Sequence, residues 1–136
     1  DLRRARAACF NIIPTTTGAA ETTTKVMDGL DGIFDGIAIR VPILTGSLTD
    51  FTFLTDKKTS VDEVNKAMKE AAEGKLKGVL GVTDKPIVSS DIVGCEYSSL
   101  VDLDMTRVVD GDMVKILSWY DNEWGYVSRM MELANL

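Results

Sequence analysis

The dipeptide Asp110-Gly111, set between the apolar runs 105–109 and 112–120, constrains this chain more than any other feature. Both residue types tolerate positive φ, which the tight turn of a β-hairpin demands, so two antiparallel strands are expected to meet there. Further strand patterns fall at 77–82, 91–95 and 99–103. Two more lie upstream, Ile37-Ala38-Ile39-Arg40-Val41 ending at Pro42 and the alternating Leu48-Thr49-Asp50-Phe51-Thr52-Phe53. Between them and the hairpin, Ser60-Val61-Asp62-Glu63 reads as a capping box. It opens a helix whose Val61, Val64, Met68, Ala71 and Ala72 share one face and which stops at Gly74. A last helix is expected from Glu123 to Leu136, with Val127, Met130, Met131, Leu133 and Ala134 in apolar contact. Several strands with few crossover helices predict an α+β fold, a mostly antiparallel (mixed) sheet with helices on one face, in one domain or most of one.

Composition narrows the function classes. Of 136 residues, 45% are hydrophobic and 26% charged, which excludes a disordered chain, a collagen and a disulfide-stapled mini-protein. No apolar run approaches the roughly 20 residues that span a bilayer, so no membrane role is expected. Fifteen basic against 21 acidic residues give a net charge of −6, which disfavours a broad nucleic-acid surface. With no histidine, the chain supplies no imidazole base and no His metal ligand. Cys9 and Cys95 lack CxxC spacing, so no metal site is expected. Both are expected as structural small hydrophobes in a reducing, cytoplasmic compartment. The start, Asp1-Leu2-Arg3-Arg4, reads as the interior of a longer protein.

Residues 1–12 suit a short helix or ordered loop ending at Pro14. Thr15-Thr16-Thr17-Gly18 then precedes a helix expected to stop near Gly29, with Thr17 at the N-cap and Val26, Met27 and Leu30 on the apolar side. Hydroxyls and free amides at a helix start suit either simple capping or a phosphate. Arg40, closing an apolar strand, either snorkels or aims its guanidinium into a cleft. Arg3, Arg4 and Arg6 form either a solvated face or part of an anion site. The run Trp119-Tyr120-Asp121-Asn122-Glu123-Trp124-Gly125-Tyr126 is either an aromatic corner capped by Asp121 or Asn122, or a surface whose Asn and Tyr hydrogen-bond a planar amide or sugar.

These segments carry a resemblance. Residues Asp1-Leu2-Arg3-Arg4-Ala5-Arg6-Ala7-Ala8 and Asn11-Ile12-Ile13-Pro14-Thr15-Thr16-Thr17-Gly18-Ala19-Ala20 resemble the catalytic half of glyceraldehyde-3-phosphate dehydrogenases. So do Arg40-Val41-Pro42, Lys77-Gly78-Val79-Leu80-Gly81-Val82 and Val114-Lys115-Ile116-Leu117-Ser118 running into the aromatic motif through Tyr126. The resemblance spans the whole chain in order. It implies an NAD- or NADP-dependent glycolytic enzyme that oxidises glyceraldehyde 3-phosphate through a cysteine thioester resolved by inorganic phosphate. Residues 1–136 would be the C-terminal part of its catalytic domain, the dinucleotide-binding domain being absent, in a homo-tetramer with the missing N-terminal half as partner. By the same resemblance Arg4 lies near the inorganic phosphate, Thr17 and Gly18 help to form that site, and Arg40 reaches the phosphates from the other side. Asn122 would hydrogen-bond the nicotinamide carboxamide, with Tyr126 packing nearby.

The family's Ser-Cys-Thr-Thr-Asn motif is missing, and its assisting histidine would lie just before Asp1. No catalytic residue is therefore expected in this chain, which alone would be inactive. Residues 43–50 also depart from many members, which touches the wall beside Arg40. Two other functions compete: a dehydrogenase of another phosphorylated aldehyde such as erythrose 4-phosphate, and a non-catalytic anion-binding or assembly module.

Overall fold

A computed structural model describes residues 1–136, which divide into two compact units, Asp1–Leu44 and Thr45–Leu136. In the first unit a 3-10 turn at Ala8–Phe10 leads into β1 (Ile13–Thr15), α1 (Ala19–Val26) and β2 (Ala38–Arg40). β1 and β2 form an antiparallel ribbon pairing Ile13 with Arg40, Pro14 with Ile39 and Thr15 with Ala38. Pro14 thus lies inside a strand rather than ending a segment. A two-stranded ribbon allows this, because the missing N–H can belong to an edge position.

Helix α1 starts one residue later than the sequence pattern suggests. Gly18 is the N-cap, although Thr17 Oγ1 still accepts the Ala19 amide at 3.2 Å. The helix also ends early, before Met27 rather than near Gly29. Thr22, Thr23 and Thr24 explain the weakness: all are β-branched, and each hydroxyl bonds back to a carbonyl of the preceding turn. Val26 and Met27 are exposed, and Ala20 is the only buried residue of α1.

The second unit contains β3 (Ser47–Leu54), α2 (Val61–Glu73), β4 (Leu80–Thr83), β5 (Ser99–Val109), β6 (Met113–Tyr120) and α3 (Trp124–Ala134). Its sheet runs β3-β6-β5-β4, antiparallel except for the parallel β4–β5 pair, so the fold is the expected α+β class with a mixed sheet. The β5–β6 hairpin turns at Asp110 and Gly111, both with positive φ. The capping box is present in full: Ser60 accepts the Glu63 amide, and the Glu63 carboxylate accepts the Ser60 amide at 3.0 Å. Helix α2 covers one sheet face over two clusters. Val64 packs with Val114 and Ile116, flanked by Phe51 and Phe53. Met68, Ala71 and Ala72 pack on Leu80, Val101 and Leu103. Val64 is the one buried residue of α2, and burying such an aliphatic side chain contributes about 1.5–3 kcal/mol, with Met68, Ala71 and Ala72 adding partly buried contacts.

Three strand expectations change. Residues 99–103 and 105–109 are one strand, kinked by a register shift between Asp102 and Arg107. Asn65 of α2 fixes the kink, donating to the Leu103 carbonyl at 3.0 Å and accepting from the fully buried Thr106 hydroxyl at 2.7 Å. Residues 91–95 are not a strand. The Asp91 carboxylate accepts the Val88 amide at 2.8 Å, closing a 3-10 turn over Ser89–Ile92 that buries Ile92. Strand β4 likewise begins only at Leu80, because the Lys77 and Val79 amides are spent on the turn carbonyls of Gly74 and Leu76.

Helix α3 is anchored by Arg129, whose guanidinium donates to the Gly78 carbonyl at 3.1 Å and the Ser98 hydroxyl at 3.3 Å. Val127, Met130, Met131 and Leu133 remain exposed rather than in the apolar contact expected of them. Gly125 is buried in the first turn, where a Cβ would stand 2.9 Å from the Tyr97 carbonyl oxygen. Alanine normally gains about 1 kcal/mol over glycine in a helix. Here the clash is with fixed backbone, so Gly125→Ala is expected to destabilise by about 1–3 kcal/mol in urea unfolding, as overpacked sites do. A gain in stability would contradict the packing described. No helix is long and apolar enough to cross a membrane.

Candidate functional site

The first unit gathers donors around the start of α1. Arg4 Nε donates to Thr15 Oγ1 at 2.7 Å, and Nη2 donates to the Thr16 carbonyl at 3.2 Å and Thr16 Oγ1 at 3.0 Å. Asp1 pairs with Nε at 3.5 Å. The guanidinium is therefore held flat along the threonine turn, with Nη1 free of protein acceptors. Thr17, next in sequence, spends a lone pair on the Ala19 amide, which leaves its own O–H proton available. Gly18 caps a helix whose first amides carry partial positive charge. Arg40 shares a ribbon face with Ile13, Thr15 and Ala38, because cross-strand partners and alternate residues point the same way. Its side chain is exposed and makes no hydrogen bond or ion pair within the chain. This unit thus offers two guanidinium groups, a hydroxyl and helix-start amides, the donor set that recognises a dianion.

The second unit builds a different kind of surface where β6 passes into α3. Buried Asp121 accepts the Trp124 amide at 2.8 Å and the Glu123 amide at 3.0 Å through Oδ1, and the Gly94 amide at 2.9 Å through Oδ2. Its carboxyl is held below the ordinary 3.8, chiefly by the Trp124 and Gly94 amides, against the opposing effect of burial. Asp121, not Asn122, therefore caps the start of α3. Asn122 stays exposed, its Oδ1 accepting from Ser47 Oγ at 2.8 Å and its Nδ2 unspent. Tyr126 lies on the first turn of α3 with its ring largely exposed, and no hydrogen bond joins it to Asn122.

Arg4, Thr17, Gly18 and Arg40 thus lie in one unit, and Asn122 and Tyr126 in the other. Cys9 is exposed rather than packed, and Cys95 is half-buried; both are free thiols. No group of three or more acidic or Cys side chains is placed to hold a metal ion. Sequence reasoning did not find Thr15 and Thr16 as the acceptors that hold Arg4, nor Ser47 as the partner of Asn122. Those pairs are 11 or 12 and 75 positions apart, beyond any local pattern.

Residues 1–122 match the family described as "Glyceraldehyde 3-phosphate dehydrogenase, C-terminal domain". The chain belongs to this family.

Among curated relatives, the glyceraldehyde-3-phosphate dehydrogenase of Mycobacterium bovis is 57% identical over 136 residues. Glyceraldehyde-3-phosphate dehydrogenase 2 of Streptomyces avermitilis is 57% identical over 134 residues, and the Nostoc protein of the same name is 49% identical over 136. The alignments cover 98–100% of this chain, which spans 40% of the length of each relative.

Proposed function

We propose that this chain forms the phosphate-binding and nicotinamide-facing part of a phosphorylating, NAD(P)-dependent glyceraldehyde-3-phosphate dehydrogenase. The observation that carries this reading is the clamp of Arg4 on Thr15 and Thr16 beside the Thr17-Gly18 helix start. With one nitrogen left unspent, part of the guanidinium fork remains available to a phosphate, whose geometry it matches. In this reading Arg4, Thr17 and Gly18 hold inorganic phosphate, and Arg40 neutralises charge shared by it and the substrate phosphate. A phosphate held by charge-assisted donors is kept oriented for attack on a thioester, and its oxygens stay stabilised as charge moves.

The dinucleotide, when bound, supplies the hydride acceptor. The unspent Nδ2 of Asn122 suits the carboxamide of its ring, with Tyr126 as an exposed aromatic neighbour. The nucleophile and base belong to the part of the enzyme that this chain does not contain, and the exposed Met130, Met131 and Leu133 suit burial by that part. This favours the enzyme over a free-standing anion-binding module.

The test is a hybrid in which this chain replaces the matching segment of the M. bovis relative. The hybrid is expected to oxidise glyceraldehyde 3-phosphate with a higher kcat/KM than erythrose 4-phosphate. A preference for the four-carbon aldehyde would move the assignment to the related dehydrogenase.

A further inference from the structure

The dipeptide Asp-Gly occurs four times, at 28–29, 31–32, 35–36 and 110–111. Glycine has no side chain to shield its own amide nitrogen, so that nitrogen can approach the carboxyl carbon of the aspartate before it. One of the four is arranged differently from the rest. The Gly36 amide donates to Asp35 Oδ1 at 2.7 Å, which folds the side chain back over the following peptide bond and sets the nitrogen beside Cγ. Both residues are exposed, so water reaches them. Gly29, Gly32 and Gly111 take φ of +86°, +75° and +76°, and none of them donates to the carboxylate before it. Asp110 is drawn instead toward Lys58, whose Nζ lies 3.8 Å from its Oδ2 and also donates to its main-chain carbonyl.

We infer that Asp35-Gly36 is a self-modification site, at which aspartate converts to isoaspartate through a succinimide. The Gly36 nitrogen bonds to Cγ of the protonated carboxyl. The amide hydrogen and the carboxyl O–H leave together as water, which closes the succinimide ring. Water then opens the ring at one of its two carbonyls. Attack at Cγ returns aspartate; attack at the main-chain carbonyl of Asp35 gives isoaspartate, with no net change in mass. Holding the reacting atoms together raises the rate over a chain that must first find the geometry. The product lengthens the main chain by one carbon shortly before Ala38 opens β2, the strand that ends on Arg40. The step needs no partner but water and uses none of the anion-site donors.

The test is incubation of the full chain in heavy-oxygen water, followed by digestion and mass spectrometry with electron-transfer fragmentation. Each opening of a succinimide leaves one heavy oxygen behind, whichever product forms, and the fragment ions tell the four sites and the two products apart. In buffer, label at residue 35 is expected to accumulate at least about fivefold faster than at 28, 31 or 110, with isoaspartate appearing there first. In concentrated guanidinium chloride, where the Gly36–Asp35 contact is lost, the four rates are expected to lie within about threefold of one another. A variant adds a second readout. Gly36 lies outside the positive-φ region and a Cβ on it meets nothing within 4 Å, so Gly36→Ala is expected to fold like the parent. Its methyl group crowds the attacking nitrogen and is expected to slow labelling at residue 35 about tenfold, with the other three sites unchanged. Equal labelling of the four sites in buffer overturns the inference. So does a lead of residue 35 that persists in denaturant, because local sequence and not the fold would then set the rate, and so does a folded Ala variant that labels like the parent. If Gly36→Ala does not fold, the comparison of the four sites in the parent decides alone.

Discussion

Replacing Arg40 by alanine is expected to raise the KM for inorganic phosphate in the hybrid enzyme by roughly 10- to 150-fold. That range corresponds to losing one charge-assisted, bidentate contact worth about 1.5–3 kcal/mol. Arg40 sits at the end of β2 on the ribbon face that carries Thr15, and its guanidinium has no hydrogen-bond or ion-pair partner within the chain. Truncating its side chain therefore breaks no hydrogen bond or ion pair, so the effect should appear chiefly in ligand binding. Lys66 is the control. It lies on the solvent side of α2 in an exposed pair with Glu70 at 3.8 Å, and such pairs contribute between nothing and about 1 kcal/mol. Lys66→Ala should leave phosphate saturation unchanged. Equal small effects of the two substitutions, read from phosphate titrations at constant aldehyde and NAD, would remove Arg40 from the anion site.

The Asp121→Asn variant is expected to lose about 2–4 kcal/mol of stability near neutral pH, one of the larger effects available to a near-isosteric change. The carboxylate accepts three amides, and its Oδ2 faces the Gly94 N–H. An asparagine that keeps its oxygen on the Glu123 and Trp124 side turns an NH2 toward that N–H, so two donors meet where a donor met an acceptor. The negative charge at the start of α3 is lost as well.

The effect has a definite pH signature. The folded carboxyl titrates below the ordinary 3.8, so its stabilisation is fully present above that value and is lost as pH falls through the lowered folded value. The gap in melting temperature between parent and variant should be widest at pH 6 and narrow below pH 3.8. A gap that stays constant down to acid would mean that packing, not charge-assisted hydrogen bonding, makes Asp121 important.

Elements set by local chemistry were legible in the sequence. The Ser60–Glu63 box, the Asp110-Gly111 turn and the apolar stripe of α2 each lie within a few residues and recur in the structure. Features set by distant partners were not. The kink in β5 depends on Asn65, some forty positions upstream, so 99–103 and 105–109 looked like two strands. The apolar content of 91–95 suggested a strand, yet the Asp91 carboxylate closes a turn there first. Pro14 looked like a terminator because a two-stranded ribbon with a free edge leaves no pattern in so short a segment.

The candidate site divides the same way. Thr17 and Gly18 were visible as a helix start, and Asp121 as one of two possible caps. How Arg4 is held by Thr15 and Thr16, and Asn122 by Ser47, emerged only once the chain was folded.

The most direct test of the central claim is the rate of NADH formation by the hybrid enzyme on glyceraldehyde 3-phosphate, with and without inorganic phosphate. A rate that depends on phosphate and saturates with it is predicted, because this chain would then be supplying the anion site that the rest of the enzyme lacks. A folded hybrid that oxidises no aldehyde, or whose sustained turnover is indifferent to phosphate, would contradict the assignment.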